Sequence, residues 1–202
     1  MVPARVVIFD LGGVLIDWNP RYLYRKLVQD EALIEDFLDR VCTRAWNELQ
    51  DAGRPVAEAT AQLAAEHPEH ADLIAAYYGR FDEMMRGAFE DTVAVLDELD
   101  RRGVPLYALS NFSAETFLHA RRRFAFLARF RDIVLSGQEG LVKPDPRFYR
   151  LLLDRHRLDP AEAVFVDDWP HNVAAAEALG MTALLFRGGD ELRRELEALG
   201  LL

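Results

Sequence analysis

A chain of 202 residues, half of them apolar and 29% charged, can bury one generous core, or a core with a smaller attached lobe. Its 24 Lys and Arg against 34 Asp and Glu leave a formal charge of −10, which repels a nucleic-acid backbone while leaving room for small anions wherever positive groups converge. The single cysteine, Cys42, excludes an internal disulfide and cysteine-based zinc clusters. No long apolar run opens the chain, so neither a signal peptide nor a membrane span is expected and the cytoplasm is the default compartment.

The first apolar run, Val6-Val7-Ile8-Phe9, fits a strand buried on both faces; it ends on Asp10, and Gly12 and Gly13 follow. From about residue 20 to residue 87 the apolar spacing is helical throughout. Helices are expected over 22–27, 31–41, 44–51, 56–66 and 72–85, with Gly53-Arg54-Pro55 and His67-Pro68 as turns and no strand anywhere in the interval. Cys42, within this stretch, reads as a small buried hydrophobe. From Asp91 onward helix and strand alternate: helices over 92–102, 114–124, 146–157, 171–179 and 190–199, strands over 106–109, 133–135, 163–166 and 182–186, with Gly103 and Gly180 as helix stops. Arg121-Arg122-Arg123 falls at a helix end, where positive charge complements the dipole. Alternation of this kind predicts an α/β fold: a parallel sheet with helices on its faces. The core then comprises residues 1–17 and 88–202, and residues 18–87 form an inserted helical lobe.

Ligands of an open parallel sheet bind beyond the carboxyl ends of its strands. Asp10 ends the first strand and Ser110-Asn111 the second. Lys143 lies in the loop after the third, and Asp167-Asp168 ends the fourth. Each has a plain structural reading: Asp10 as a turn cap, Ser110-Asn111 as a helix N-cap, Lys143 as a solvated loop residue, Asp167-Asp168 as a helix start before Pro170. Four such coincidences at one edge point instead to a site. Carboxylates gathered there repel one another by about 4 kcal/mol per pair at ~4 Å and an effective dielectric of ~20, and a hard cation such as Mg²⁺, bound through oxygen, relieves this. A lysine and a hydroxyl beside that cation would seat a phosphoryl group, which an aspartate could attack to form an aspartyl-phosphate.

The stretches FDLGGVLID, LSN, LVKPDP and VDDWPHN, in this order and spacing, resemble the four motifs of the haloacid dehalogenase-like hydrolase superfamily, across nearly the full length. The helical insert is similar to that superfamily's type-1 cap, and the resemblance implies a Rossmann-like core. By position it implies Asp10 as nucleophile and metal ligand, the Gly12 carbonyl, Asp168 and Asp167 completing a Mg²⁺ site, Ser110 and Asn111 binding the transferring group, and Lys143 balancing its charge. Asn172 matches a supporting position. Pro20, Arg21, Trp46 and Asn47 fall in the cap or its entrance, although Trp46 also reads as a core aromatic.

One position departs from the pattern. Most phosphatases of the superfamily carry a second aspartate where this chain has Gly12; it protonates the leaving group and then activates water. Losing a general acid costs about 10²–10⁴ in rate. Asp17 or a cap residue would then supply the proton, or the leaving group would need little help, as in a sugar 1-phosphate or an acyl phosphate. The expected activity is Mg²⁺-dependent hydrolysis of a small phosphorylated metabolite. The alternatives are a metal-independent 2-haloacid dehalogenase, whose substrate carboxylate fits poorly beside Asp167-Asp168, and a non-enzymatic member that binds a phosphorylated ligand or a partner. Neither nucleic acid nor membrane is an expected partner, and the oligomeric state is not legible.

Overall fold

The computed structural model describes residues 4–202. The described residues form strands β1 (Val6–Phe9), β2 (Ile16–Trp18), β3 (Met85–Ala88), β4 (Leu106–Ser110), β5 (Asp132–Leu135), β6 (Ala163–Asp167) and β7 (Thr182–Leu185). Helices α1 (Arg21–Tyr24), α2 (Glu31–Arg40), α3 (Arg44–Asp51), α4 (Val56–Glu66) and α5 (Ala71–Gly79) lie between β2 and β3. The rest are α6 (Glu90–Arg101), α7 (Phe117–Arg123), α8 (Ser136–Glu139), α9 (Pro146–His156), α10 (Pro170–Glu177) and α11 (Gly189–Ala198).

The five remaining strands make a parallel sheet in the order β5-β4-β1-β6-β7. Alternation along β1 explains why both faces are covered. Val7 and Phe9 join one apolar cluster with Leu96 of α6 and Leu192 of α11, while Val6 and Ile8 join another with Phe148 and Leu152 of α9. This is the expected α/β architecture, and β1 lies at its centre. The chain leaves β1 for β4 and β5 on one side and then crosses to β6 and β7 on the other. The switch in direction opens a crevice beyond the carboxyl ends of β4, β1 and β6.

The interval 20–87 departs from the all-helical expectation at its end. The helix expected over 72–85 stops at Gly79, a 3₁₀ turn follows over Phe81–Met84, and Met85–Ala88 is a strand. It pairs antiparallel with β2, Ile16 opposite Ala88 and Asp17 opposite Gly87. Three- and four-residue strands carry no alternation long enough to read, and each exists only because its partner returns some 70 residues later. The helix expected over 22–27 is likewise one turn, and the one expected over 114–124 begins only at Phe117. Arg123 does more than complement a dipole: its guanidinium donates to the carbonyls of Asp82, Met85 and Arg86, fastening α7 to β3. No helix among the described residues is long and apolar enough to cross a membrane.

Candidate active site

Asp10 follows β1 directly, and its N–H extends the ladder to the carbonyl of Val166 at 2.8 Å, so its side chain is fixed at the sheet edge. One carboxylate oxygen, Oδ1, accepts from its neighbour Leu11 N–H and from Ser110 Oγ, both at 2.7 Å. The other, Oδ2, lies 2.9 Å from Lys143 Nζ. Lys143 also donates to Asp167 Oδ2 at 2.7 Å, and so bridges the ends of two adjacent strands. It is 4% exposed, which rules out a solvated loop lysine.

The Lys143 main chain is held by Asn111, whose side chain accepts from Lys143 N–H at 2.8 Å and donates to its carbonyl at 3.0 Å. Asn111 therefore sets the lysine's position, and neither it nor Ser110 caps a helix, since α7 starts six residues beyond Asn111. Asp167, wholly buried, also accepts from Trp169 N–H at 2.8 Å and from Asn172 Nδ2 at 2.9 and 3.1 Å.

Asp10, Asp167 and Asp168 each bring a carboxylate oxygen within 4.8 Å of the others. Three carboxylates face one ammonium, and the pKa directions follow. Burial, only partly offset by the Lys143 charge, pushes Asp10 up to about 7, with Asp167 adding to the rise. Burial and the adjacent Asp167 raise Asp168 as well. For Lys143 burial alone would lower the pKa, but the charges of Asp10 and Asp167 outweigh it and the net shift is upward. The donor set is all oxygen, without thiol or imidazole, and the Gly12 carbonyl accepts no hydrogen bond from the described residues. Such a set suits a hard divalent cation, and Asp10, Asp168 and the Gly12 carbonyl are groups that could hold one. Asp167 belongs to the cluster, but its oxygens are engaged by Lys143, Asn172 and Trp169.

The two glycines of the first motif differ. Gly13 has φ +77°, and a Cβ there would stand 2.3 Å from Asp168 Oδ2. At Gly12 a Cβ would meet nothing within 4 Å, and φ is ordinary. Neither backbone nor space demands a glycine at position 12.

Above this floor a cavity of about 420 Å³ opens between the sheet edge and the segment between β2 and β3. Its upper wall includes Trp18, Arg21, Leu38, Asp39, Asn47 and Glu48. Pro20 also lines it. Trp46 does not: it is buried against Tyr77 and Tyr78 at centroid distances of 5.3 and 5.4 Å, as a core aromatic. Cys42 contributes a neutral wall, its thiol pushed up to about 12 by burial. Asp17 stands outside, paired with Arg86 at 2.8 Å and accepting from Tyr22 Oη at 2.8 Å, so it is not placed to serve the site.

Two features were not anticipated from the sequence. Arg44 lies 3.5 Å over the ring of Trp169, a half-exposed residue just past β6, and so joins α3 to the loop carrying Asp168. Asp51, the last residue of α3, lines the cavity with Asp10. Its Oδ1 accepts from Ser113 N–H at 3.0 Å, its Oδ2 from Asn47 Nδ2 at 2.8 Å, and its carbonyl from Ser136 Oγ at 2.5 Å. Burial pushes its carboxyl up to about 7, although the Ser113 hydrogen bond opposes this. One sequence signal pointed there: an aspartate ending a helix stands against the dipole.

Residues 4–180 match the haloacid dehalogenase-like hydrolase family. The sesquiterpene phosphatase astK of Aspergillus oryzae is 31% identical over 180 residues, covering 89% of this chain and 88% of that protein. Among solved structures, a HAD family enzyme of Bacteroides thetaiotaomicron, an Asp-to-Ala mutant in complex with magnesium and inorganic phosphate, superposes with a TM-score of 0.72. It shows 18% identity, over 92% of this chain and 95% of that one. An L-2-haloacid dehalogenase superposes with a TM-score of 0.61 at 21% identity, over 89% and 82% of the two chains.

Proposed function

The chain belongs to the haloacid dehalogenase-like hydrolase family, and we propose that it is a Mg²⁺-dependent phosphatase of small phosphorylated metabolites, working through an aspartyl-phosphate on Asp10. The observation that carries this reading is the buried Asp10–Lys143–Asp167 chain within an all-oxygen acidic cluster at the floor of a cavity. Residues 18–87 act in it as a helical cap over the residues 1–17 and 88–202 core.

Asp10 is the nucleophile because its carboxylate is oriented from three sides, by Leu11 N–H, Ser110 and Lys143, and opens on the cavity. Lys143 stabilises negative charge on the phosphoryl oxygens, and Ser110 and Asn111 support it, the latter by holding the lysine's main chain. Asp167 and Asn172 keep the ammonium in place. A cation held by Asp10, Asp168 and the Gly12 carbonyl would offset the charge of the carboxylates and of the incoming phosphate. The hydrogen-bonding groups of Arg21, Asp39, Asn47 and Glu48 on the upper wall support a hydroxyl-bearing substrate such as a sugar phosphate.

A dehalogenase would have to bind a carboxylate substrate against this cluster with one lysine to neutralise it, which favours the phosphatase. Purified protein with Mg²⁺ is expected to release phosphate from a panel of phosphorylated metabolites and from p-nitrophenyl phosphate. EDTA and Asp10→Asn should each abolish turnover, and no chloride should appear from 2-chloropropionate. Activity that survives either change defeats the proposal, and metal-free chloride release would install the dehalogenase instead.

A further inference from the structure

We propose that Asp51 is the proton donor to the leaving oxygen and, in the second half of the reaction, the base that activates water. The inference rests on the phosphatase reading and answers the question raised by Gly12. Position 12 would accept a Cβ without contact, so its glycine is not a structural need, and it brings no carboxylate to the site. For an ester whose leaving oxygen needs a proton, the acid then comes from elsewhere in the cavity.

Asp51 meets the geometric conditions. It lines the cavity together with Asp10, Ser110 and Lys143. Its position is fixed from both sides, by Asn47 on its own helix, by Ser113 from the loop after β4 and by Ser136 at the start of α8. Each carboxyl oxygen accepts one hydrogen bond there and keeps a lone pair for a proton.

The other cavity acids are less suited. Glu48 is exposed and bound to Arg44 at 2.8 Å, Asp39 is exposed on α2, and Asp10 and Asp168 belong to the metal cluster. The charged and titratable groups around Asp51 are Glu48 and Arg44 on α3, Tyr77 and Tyr78 on α5, and Asp10. Burial, with the Glu48 and Asp10 carboxylates, outweighs the Ser113 hydrogen bond and Arg44 and pushes the Asp51 carboxyl up to about 7, as an acid working near neutrality requires.

The step balances. An Asp10 oxygen forms a bond to phosphorus as the bond from phosphorus to the ester oxygen breaks; that oxygen keeps the electron pair and takes the Asp51 proton, leaving as an alcohol. A water then gives one proton to the Asp51 carboxylate while its oxygen attacks phosphorus, and the bond from phosphorus to the Asp10 oxygen breaks with its electron pair returning to the Asp10 carboxylate. Inorganic phosphate leaves, and both aspartates return to their starting forms.

The test compares kcat/KM, which reports only steps through aspartyl-phosphate formation, for phenyl phosphate and 2,4-dinitrophenyl phosphate at saturating Mg²⁺. Dinitrophenolate leaves without a proton; phenolate needs one. Asp51→Asn should lose about 10²–10⁴-fold on phenyl phosphate but less than about tenfold on the dinitrophenyl ester. The fall in wild-type phenyl phosphate kcat/KM above about pH 7 should disappear in the variant. Adding Gly12→Asp to Asp51→Asn should restore phenyl phosphate turnover by at least about tenfold. Asp51→Ala, which leaves room beside Asn47, gives the same comparison should the asparagine prevent folding. Equal loss on both esters, or no loss, overturns the assignment to Asp51. A wild-type protein inert on both esters removes the phosphatase reading itself.

Discussion

Gly12 and Gly13 stand side by side and answer to different constraints. At Gly13 the backbone is left-handed and a Cβ would collide with the Asp168 carboxylate. Gly13→Ala should therefore cost about 1–3 kcal/mol in urea denaturation and displace the carboxylate. Gly12→Ala, with open space around it, should change stability by no more than about 0.5 kcal/mol. The same scale explains the four polar positions at the strand ends. Taken singly, each residue type suited a cap, a turn or a solvated loop. Lys143, however, is buried between Asp10 and Asp167, and a buried ammonium is tolerated only when paired. What the residue list lacked was Asp51: an acidic residue at a helix end is its one local signal, and only tertiary packing brings it to the cavity that Asp10 lines.

At the scale of elements, long periodic segments were legible and short paired ones were not. The helices Arg44–Asp51 and Val56–Glu66 fall on their expected bounds, and the strands of the parallel sheet differ from theirs by at most about a residue. β2 and β3 escaped because their stability comes from each other and from Arg123, which reaches from α7 to the carbonyls of Met85 and Arg86 in β3 and of Asp82 in the turn before it. Arg123→Ala removes a charged donor from all three and should destabilise the protein by about 1–2 kcal/mol, measured by urea denaturation. The loss should exceed that of Arg121→Ala on the same helix, because among the described residues it is Arg123 that donates to these carbonyls.

For the whole molecule, the apolar cluster on one sheet face runs on through Leu11, Leu15 and Phe112 into Leu23, Tyr24 and Phe37 of the inserted segment. The cavity thus has a floor from the sheet and a wall from the insertion, with Arg44 over Trp169 as one contact between them. A cation that binds the folded cluster and not the unfolded chain stabilises by mass action. Mg²⁺ at a hundred times its Kd should add about 2.7 kcal/mol, and so raise Tm by about 5–10 °C for a chain of this length. Asp168→Asn should remove that shift, read by thermal denaturation without substrate.

The sequence by itself determined the α/β class, the buried strand ahead of Asp10 and the residues at the four strand ends. Those features are local: runs of apolar residues, their period, and the turn chemistry beside them. Only the tertiary structure decided the rest. It engaged Asp167 with Lys143 and Asn172, removed Asp17 to a pair with Arg86, sent Trp46 into the core, and brought Asp51 from the insertion to the cavity. Apart from the Asp167–Asn172 bond, which spans five residues, these depend on contacts between segments separated in the chain: the Lys143 bond joins two parts of the core, and the others involve the insertion.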